Sequence, residues 1–211
     1  MTAPATNGVS SGPSVPALKE WAVVVRALLA GEQIVDIRKG GLREDGRRFS
    51  VTTDRCWLSP TAEHQDAALL GAAYAHWIDL APGSPAGGPV TIPGWAEIVD
   101  VATVTEPDQV AAVAAKSIWS PEYVASRFRW KRRDPLTVLV LRAHLLDEPV
   151  TIPWRDEYGG CTSWVEYADL PADPADLASV PALSDGAFAA RHRGVRSALS
   201  DECWSGPPTA D

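Results

Sequence analysis

"LTVLVLRAHLL", residues 136–146, is the stretch whose reading decides the fold. Its valines and leucines make it β-branched and almost continuously apolar, the pattern of a central strand covered on both faces, and only Arg142 and His144 interrupt it. "EPVTIP" (148–153) follows as a further edge-like strand bounded by prolines, and "WAEIVDVATV" (95–104) alternates in the manner of a strand before it. Between them, "PDQVAAVAAKS" (107–117) and "SPEYVASRF" (120–128) read as short helices, the second with its proline in the first turn, where the missing N–H costs nothing.

Towards the N-terminus, "ALKEWAVVVRALLAG" (17–31) spaces Leu18, Trp21, Val25, Leu28 and Leu29 as one helix face, with Gly31 as a stop. "EQIVDIRK" (32–39) is a strand with Val35 and Ile37 on one side and Asp36 and Arg38 on the other. A turn-rich "GGLREDGRR" should join it in a hairpin to "FSVTTDRCWL" (49–58), whose Phe49, Val51, Thr53 and Trp57 alternate. "SPTAEHQDAALLGAAYAHWIDL" (59–80) reads as a capped helix, and "APGSPAGGP" (81–89) as a flexible insertion. "WRDEYGGCTSW" (154–164) is a loop, 165–183 a Pro- and Asp-rich trailing segment, and a last short helix spans roughly residues 184–199. This order predicts an α+β protein: a mostly antiparallel curved sheet or small β-barrel with packed helices. It contains no βαβ alternation, no GxGxxG and no GxxxxGK[ST], so nothing supports a Rossmann or P-loop reading.

The 211 residues, 45% hydrophobic, suffice for one core. Expected are a disordered leader at 1–15, a single globular domain at 16–166, and an acidic extension at 167–211 carrying the short helix. The longest apolar run falls far short of the roughly 20 residues that span a bilayer, which predicts a soluble cytoplasmic protein without a membrane partner. Three dispersed cysteines and four scattered histidines suggest neither disulfides nor a metal site, and no cofactor is expected. The formal charge of -8 is unevenly placed: residues 1–146 hold 15 of the 19 Lys+Arg and 15 of the 27 Asp+Glu, so the whole excess lies beyond them. Net charge therefore does not exclude basic patches on the body.

Three stretches could carry chemistry. In "IVDIRKGG" (34–41) Arg38 can grip an anion through its planar fork beside Lys39, and glycines allow close approach; a solvated turn with Arg38 paired to Asp36 or Glu44 is the plainer reading. In "RFRWKRR" (127–133) five cations, Arg127, Arg129 and Lys131 among them, interleave with Phe128 and Trp130, a combination suited to phosphates and stacked bases, or else a solvated helix end paired with the acidic third. In "SPTAEHQ" (59–65) Thr61 and His64 would stand at a helix N-terminus that favours an anion, unless Thr61 merely caps. Nine tryptophans, Trp119 and Trp130 among them, are core residues or stacking walls. A PD-(D/E)xK nuclease is excluded because Asp36 and Lys39 point to opposite faces of a strand, and no GxSxG-type nucleophile occurs.

Together, "ALKEWAVVVRALLAGEQIVDIRKGGLRE", "WLSPTAEHQ" and "RAHLLDEPVTIP" resemble an uncharacterised bacterial family, a domain of unknown function marked by ALKEWA, RKGG and PTxxHQ motifs, over roughly residues 16–166. That resemblance implies no proven activity, only an association of some relatives with restriction–modification components. The helix running into "IVDIRK" and the late strand before "EPV" are more distantly similar to the ASCH domains of the PUA-like superfamily. Those are small barrels that bind RNA or modified nucleobases, a few of them amidohydrolases of modified nucleosides, and the similarity would set Arg38 and Lys39 at the mouth of the barrel pocket.

The expectation is a binding module for nucleic acid or a modified nucleotide, rather than an enzyme. The site set is Arg38, Lys39, Thr61, His64, Arg127, Arg129, Trp130 and Lys131. Two alternatives stand beside it. One is a hydrolase of a modified nucleoside, with Lys39 or His64 moving the proton and Thr61 assisting. The other is a non-catalytic accessory whose protein partner meets the acidic C-terminal third.

Overall fold

The computed structural model describes residues 14–39, 51, 53–85, 87–130, 134–160 and 162–208. Most of the expected leader, Gly40, Gly41, Phe49 and Lys131 lie outside the described residues.

Two long strands organise the molecule, β4 (Val90–Val104) and β5 (Leu136–Ile152), paired antiparallel along almost their whole lengths. Each is longer than its outer neighbours, so each serves two partners along its outer edge. β5 carries β2 (Val35–Lys39) beside Leu136–Val140 and β7 (Ser179–Pro181) beside His144–Leu146. β4 carries β3 (Arg55–Thr61) beside Gly94–Glu97 and β8 (Trp204–Gly206) near Val101. Beyond β3 come β1 (Ala17–Trp21), parallel to it, and the two-residue β6 (Trp164–Val165), giving the order β2-β5-β4-β3-β1-β6. Register shifts in the β4–β5 ladder between Ile92 and Gly94 and between Ile98 and Asp100 bend the pair, and bulges of this kind curve a sheet. The result is a mixed α+β fold with an open, curved, mostly antiparallel eight-stranded sheet.

Helix α1 (Ala22–Leu29) buries Val23, Val24, Val25, Ala27 and Leu28 against the sheet. Helices α2 (Pro107–Ala114) and α3 (Pro121–Arg129) begin with the expected prolines; a Glu106–Gln109 capping box starts one, and the Ser120 hydroxyl, accepting from the Tyr123 N–H, starts the other. Helix α4 (Asp185–Arg196) lies where the last helix was expected, and Phe188, Val195 and Leu199 enter the main core. A smaller core gathers Trp57, Trp95, Tyr158 and Tyr167. Among the described residues no helix is long and apolar enough to cross a membrane.

Four expectations about single elements are corrected. The helix read from Ala17 begins only at Ala22, because Ala17–Trp21 forms ladders with β3 and β6, and such long-range pairing overrides a five-residue helical pattern. The hairpin joining 32–39 to 49–58 is not the pairing observed: β2 bonds to β5, whereas β3 bonds to β4 and β1. "SPTAEHQDAALLGAAYAHWIDL" is no helix: β3 runs through Thr61, His64 turns the chain at φ 63, and only the 3-10 turns Ala67–Leu69 and Ala75–Leu80 follow. Its side chains compete for the backbone, since Gln65 accepts from the Val23 N–H at 2.9 Å and donates to the Ala81 carbonyl at 3.1 Å, and Asp66 caps the first 3-10 turn. Finally, "EPVTIP" continues β5, the ladder shift opposite Ile92–Gly94 accommodating Glu148 and Pro149.

Candidate functional site

At the end where β1 meets α1, five segments enclose a cavity of about 300 Å³. β1 supplies Lys19, Glu20 and Trp21; β2 supplies Arg38 and Lys39; the end of β3 and the turn after it supply Thr61 and His64. α3 and its flanks supply Trp119, Tyr123, Arg127 and Trp130, and Gly160, Thr162 and Ser163 close the remaining side. A cavity of this size sits at the lower end of the roughly 300–1,000 Å³ range of small-ligand sites.

Arg38 occupies the floor. Its Nε donates to Asp36 at 2.6 Å, and its Nη2 reaches Glu20 at 2.5 Å and the Lys19 carbonyl at 3.2 Å. Asp36 and Arg38, two apart on β2, share one side of the strand, so the plainer expectation of an Arg38–Asp36 pair holds, and Glu20 is an added partner. Burial pushes the Glu20 carboxyl up to about 7; the Arg38 charge opposes this, and the neighbouring Asp36 charge adds to it. Burial disfavours the Arg38 cation too, but Asp36 and Glu20 outweigh it and hold its proton more tightly than usual. Lys39, only 4% exposed, donates to the Phe128 carbonyl at 2.7 Å, and burial lowers its affinity for its proton. Lys19 reaches the carbonyls of Tyr158 and Gly160 at 2.6 and 3.2 Å.

Above this polar floor the walls are aromatic. Trp119 lies 4.6 Å from Tyr123 and 5.1 Å, edge-on, from Trp21, centroid to centroid. Arg127 sits 5.1 Å over the Trp130 ring. The Tyr123 hydroxyl is raised above its ordinary value by burial, so it stays a neutral donor.

The cavity thus brings together Arg38, Lys39, Thr61, His64, Arg127 and Trp130, residues drawn from three separate stretches of sequence. Arg129 is exposed and does not line it, and Lys131 lies outside the described residues. Thr61 and His64 line it from a strand end and a left-handed turn, not from the helix N-terminus expected of them. Sequence reasoning missed Glu20, Trp21 and Tyr123. Glu20 and Trp21 fall in the stretch assigned to a helix, and Tyr123 looked like an ordinary helix residue; the one available signal was Lys19-Glu20, a charged pair inside an otherwise apolar element.

Residues 17–194 match the model of a family described as "Domain of unknown function (DUF1802)", and the chain belongs to that family, as its motifs led one to expect. No curated protein matches. Among solved structures, a mutant ZmASCH protein from Zymomonas mobilis is 12% identical, with 66% of this chain and 74% of that one covered and a TM-score of 0.40.

Proposed function

We propose that this member of the DUF1802 family is a nucleic-acid or modified-nucleotide binding module that takes one base into the β1–α3 cavity. The observation that carries the reading is a buried carboxyl–guanidinium pair, Glu20 and Arg38, beneath walls of Trp21, Trp119 and Tyr123. Flat aromatic faces stack on a base for about 1–3 kcal/mol each, and a buried donor and acceptor reward a ligand edge that matches them. Arg127 and Trp130 line the same cavity, and Arg129 follows on the last turn of α3, so phosphates would track the end of that helix while the base enters. A place beside restriction–modification components, as the motif resemblance implies, would suit a reader of modified bases.

Tryptophan-fluorescence titration with single-stranded and duplex DNA and RNA oligonucleotides, at several salt concentrations, tests this. Arg127→Ala should weaken binding and reduce the salt slope by about one. Unchanged affinity and slope in that variant, or silence with every oligonucleotide and nucleoside, would sink the assignment.

A second reading, hydrolysis of a modified nucleoside, is favoured by one placement: Glu20, whose carboxyl burial pushes up to about 7, lines the cavity one strand away from Thr61, which pairs with Trp21 in the β1–β3 ladder. Glu20 would then take the proton-transfer role expected of Lys39 or His64. Turnover of any member of a panel of modified nucleosides, lost in Glu20→Gln, distinguishes it from binding alone.

A further inference from the structure

The pocket floor contains one cation and two acids, and their roles differ. Asp36, 1% exposed, meets the Nε of Arg38 and compensates its charge; Glu20 is a second carboxyl on the same guanidinium. Arg38 Nη1 has no hydrogen-bond partner among the described residues, and the side chain lines the cavity, so Nη1 is the donor left to a ligand. Glu20 Oε1 accepts from the Trp21 N–H at 2.7 Å, and Oε2 lies against Arg38.

The charged and titratable groups around Glu20 are Lys19 on its own strand, Arg38 and Asp36 on β2, and Arg127 and Tyr123 on α3, with Lys39, Glu63 and His64 farther along the lining. Lys39 is turned to the Phe128 carbonyl. A second anion on an already compensated guanidinium, removed from water, is relieved most simply by a proton on the member that faces the cavity. Burial and Asp36 prevail over Arg38 and Arg127, and the carboxyl titrates at about 7. Protonation changes what the floor offers. An anionic Glu20 beside Arg38 presents an acceptor and a donor; a neutral Glu20 presents its O–H beside the guanidinium, two donors on one floor.

We propose that the floor recognises a ligand edge with two adjacent hydrogen-bond acceptors, either phosphodiester oxygens or the O6/N7 edge of a guanine, and that Glu20, acting as a carboxylic acid, is the specificity-determining residue, so that binding carries a proton into the pocket. This narrows the ligand of the proposed binding module and rests on its placing the ligand in the β1–α3 cavity. Guanine offers two such acceptors on its major-groove edge, whereas adenine sets an amino donor beside its N7 acceptor there.

Isothermal titration of the full chain with guanosine, adenosine and dimethyl phosphate, whose charge is constant over the range, between pH 6 and 8 and in buffers of different ionisation enthalpy, tests the proposal. The acceptor ligand should lose about tenfold in affinity from pH 6 to 8 and take up close to one proton at the alkaline end. Glu20→Gln, whose amide retains an N–H donor, should bind the same ligand with no pH dependence. The wild-type proton count needs no variant, so a poorly folding Glu20→Gln leaves the test intact. Guanosine or dimethyl phosphate binding with proton uptake supports the proposal and says which source supplies the acceptors. Affinity that is constant or rises with pH, or an unaltered pH profile in Glu20→Gln, overturns it. So does silence with both acceptor ligands; if adenosine then binds, the base-binding reading survives alone. Dimethyl phosphate taken up with a proton while both nucleosides fail removes the base-binding reading and leaves the acceptor-edge floor standing.

Discussion

Two buried charge clusters in this protein are mirror images. Around Arg38, one guanidinium serves two carboxyls, Asp36 and Glu20; around Asp100 on β4, one carboxylate serves two bases of α4, His192 at 3.2 Å and Arg196 at 2.6 Å. Asp100 is 2% exposed, but Arg196 is 40% exposed at its side chain and lies over the Trp204 ring, so surplus charge on that side is met by water. That cluster fastens the last helix to the sheet. In the Arg38 cluster all three groups are removed from solvent, and the member in excess borders a cavity with aromatic walls. A buried carboxyl in excess of its cation beside an aromatic-walled cavity suits a ligand, whereas a carboxylate matched by two bases beneath a helix suits a fastening.

Several substitutions would sharpen or break that contrast. Arg38→Met leaves Asp36 and Glu20 buried without a cation and should destabilise by about 3–5 kcal/mol in urea unfolding at pH 7.5, less at pH 5 where Glu20 is protonated; a loss under about 1 kcal/mol would mean that the cluster is not a unit. Asp100→Asn weakens charge-assisted hydrogen bonds and should cost about 1.5–3 kcal/mol in the same assay, with ligand affinity intact. A changed affinity there would erase the division between fastening and site.

Trp130→Ala should reduce affinity for a single-stranded oligonucleotide roughly tenfold or more by removing a stacking face, with little effect on urea unfolding. Glu20 supplies a smaller, pH-dependent effect. Its pKa is raised from near 4.5 in the unfolded chain to about 7, so the folded state binds the proton more tightly. Its contribution to stability is present in full below 4.5 and is lost as pH rises through 7. Thermal melting across this window should show that decline in the wild type and its absence in Glu20→Gln. Least of all, Arg26→Ala, in the larger proline-lined groove of about 560 Å³ beside α1, should leave nucleoside affinity unchanged; a shift would place the site in that groove.

Much of the frame was legible. Residues 136–146 and 95–104 carry strand periodicity strong enough to survive any context, and Pro107, Pro121, Glu106 and Ser120 announce two helix starts through local backbone chemistry. The candidate residues were legible for a similar reason. Arg38-Lys39 and the 127–130 run are local concentrations of charge and aromatic surface, visible without knowledge of what they face. Glu20 was not, because Leu18 and Trp21 suit a helix face as well as a strand, and what makes Ala17–Trp21 a strand is a parallel ladder to residues some forty positions away.

The amino-acid sequence by itself determined the element types with strong local periodicity, the family, and a short set of cations and tryptophans able to meet a ligand, since each depends on neighbours within a few residues. Tertiary structure alone decided that β2 joins β5 instead of β3, that Gln65 holds the start of α1, and that Glu20, Asp36 and Arg38 share one water-poor floor. The physical reason is that desolvation and Coulomb energy depend on distance in space, and the fold sets residues 20 and 38 against each other at 2.5 Å although eighteen positions of chain separate them.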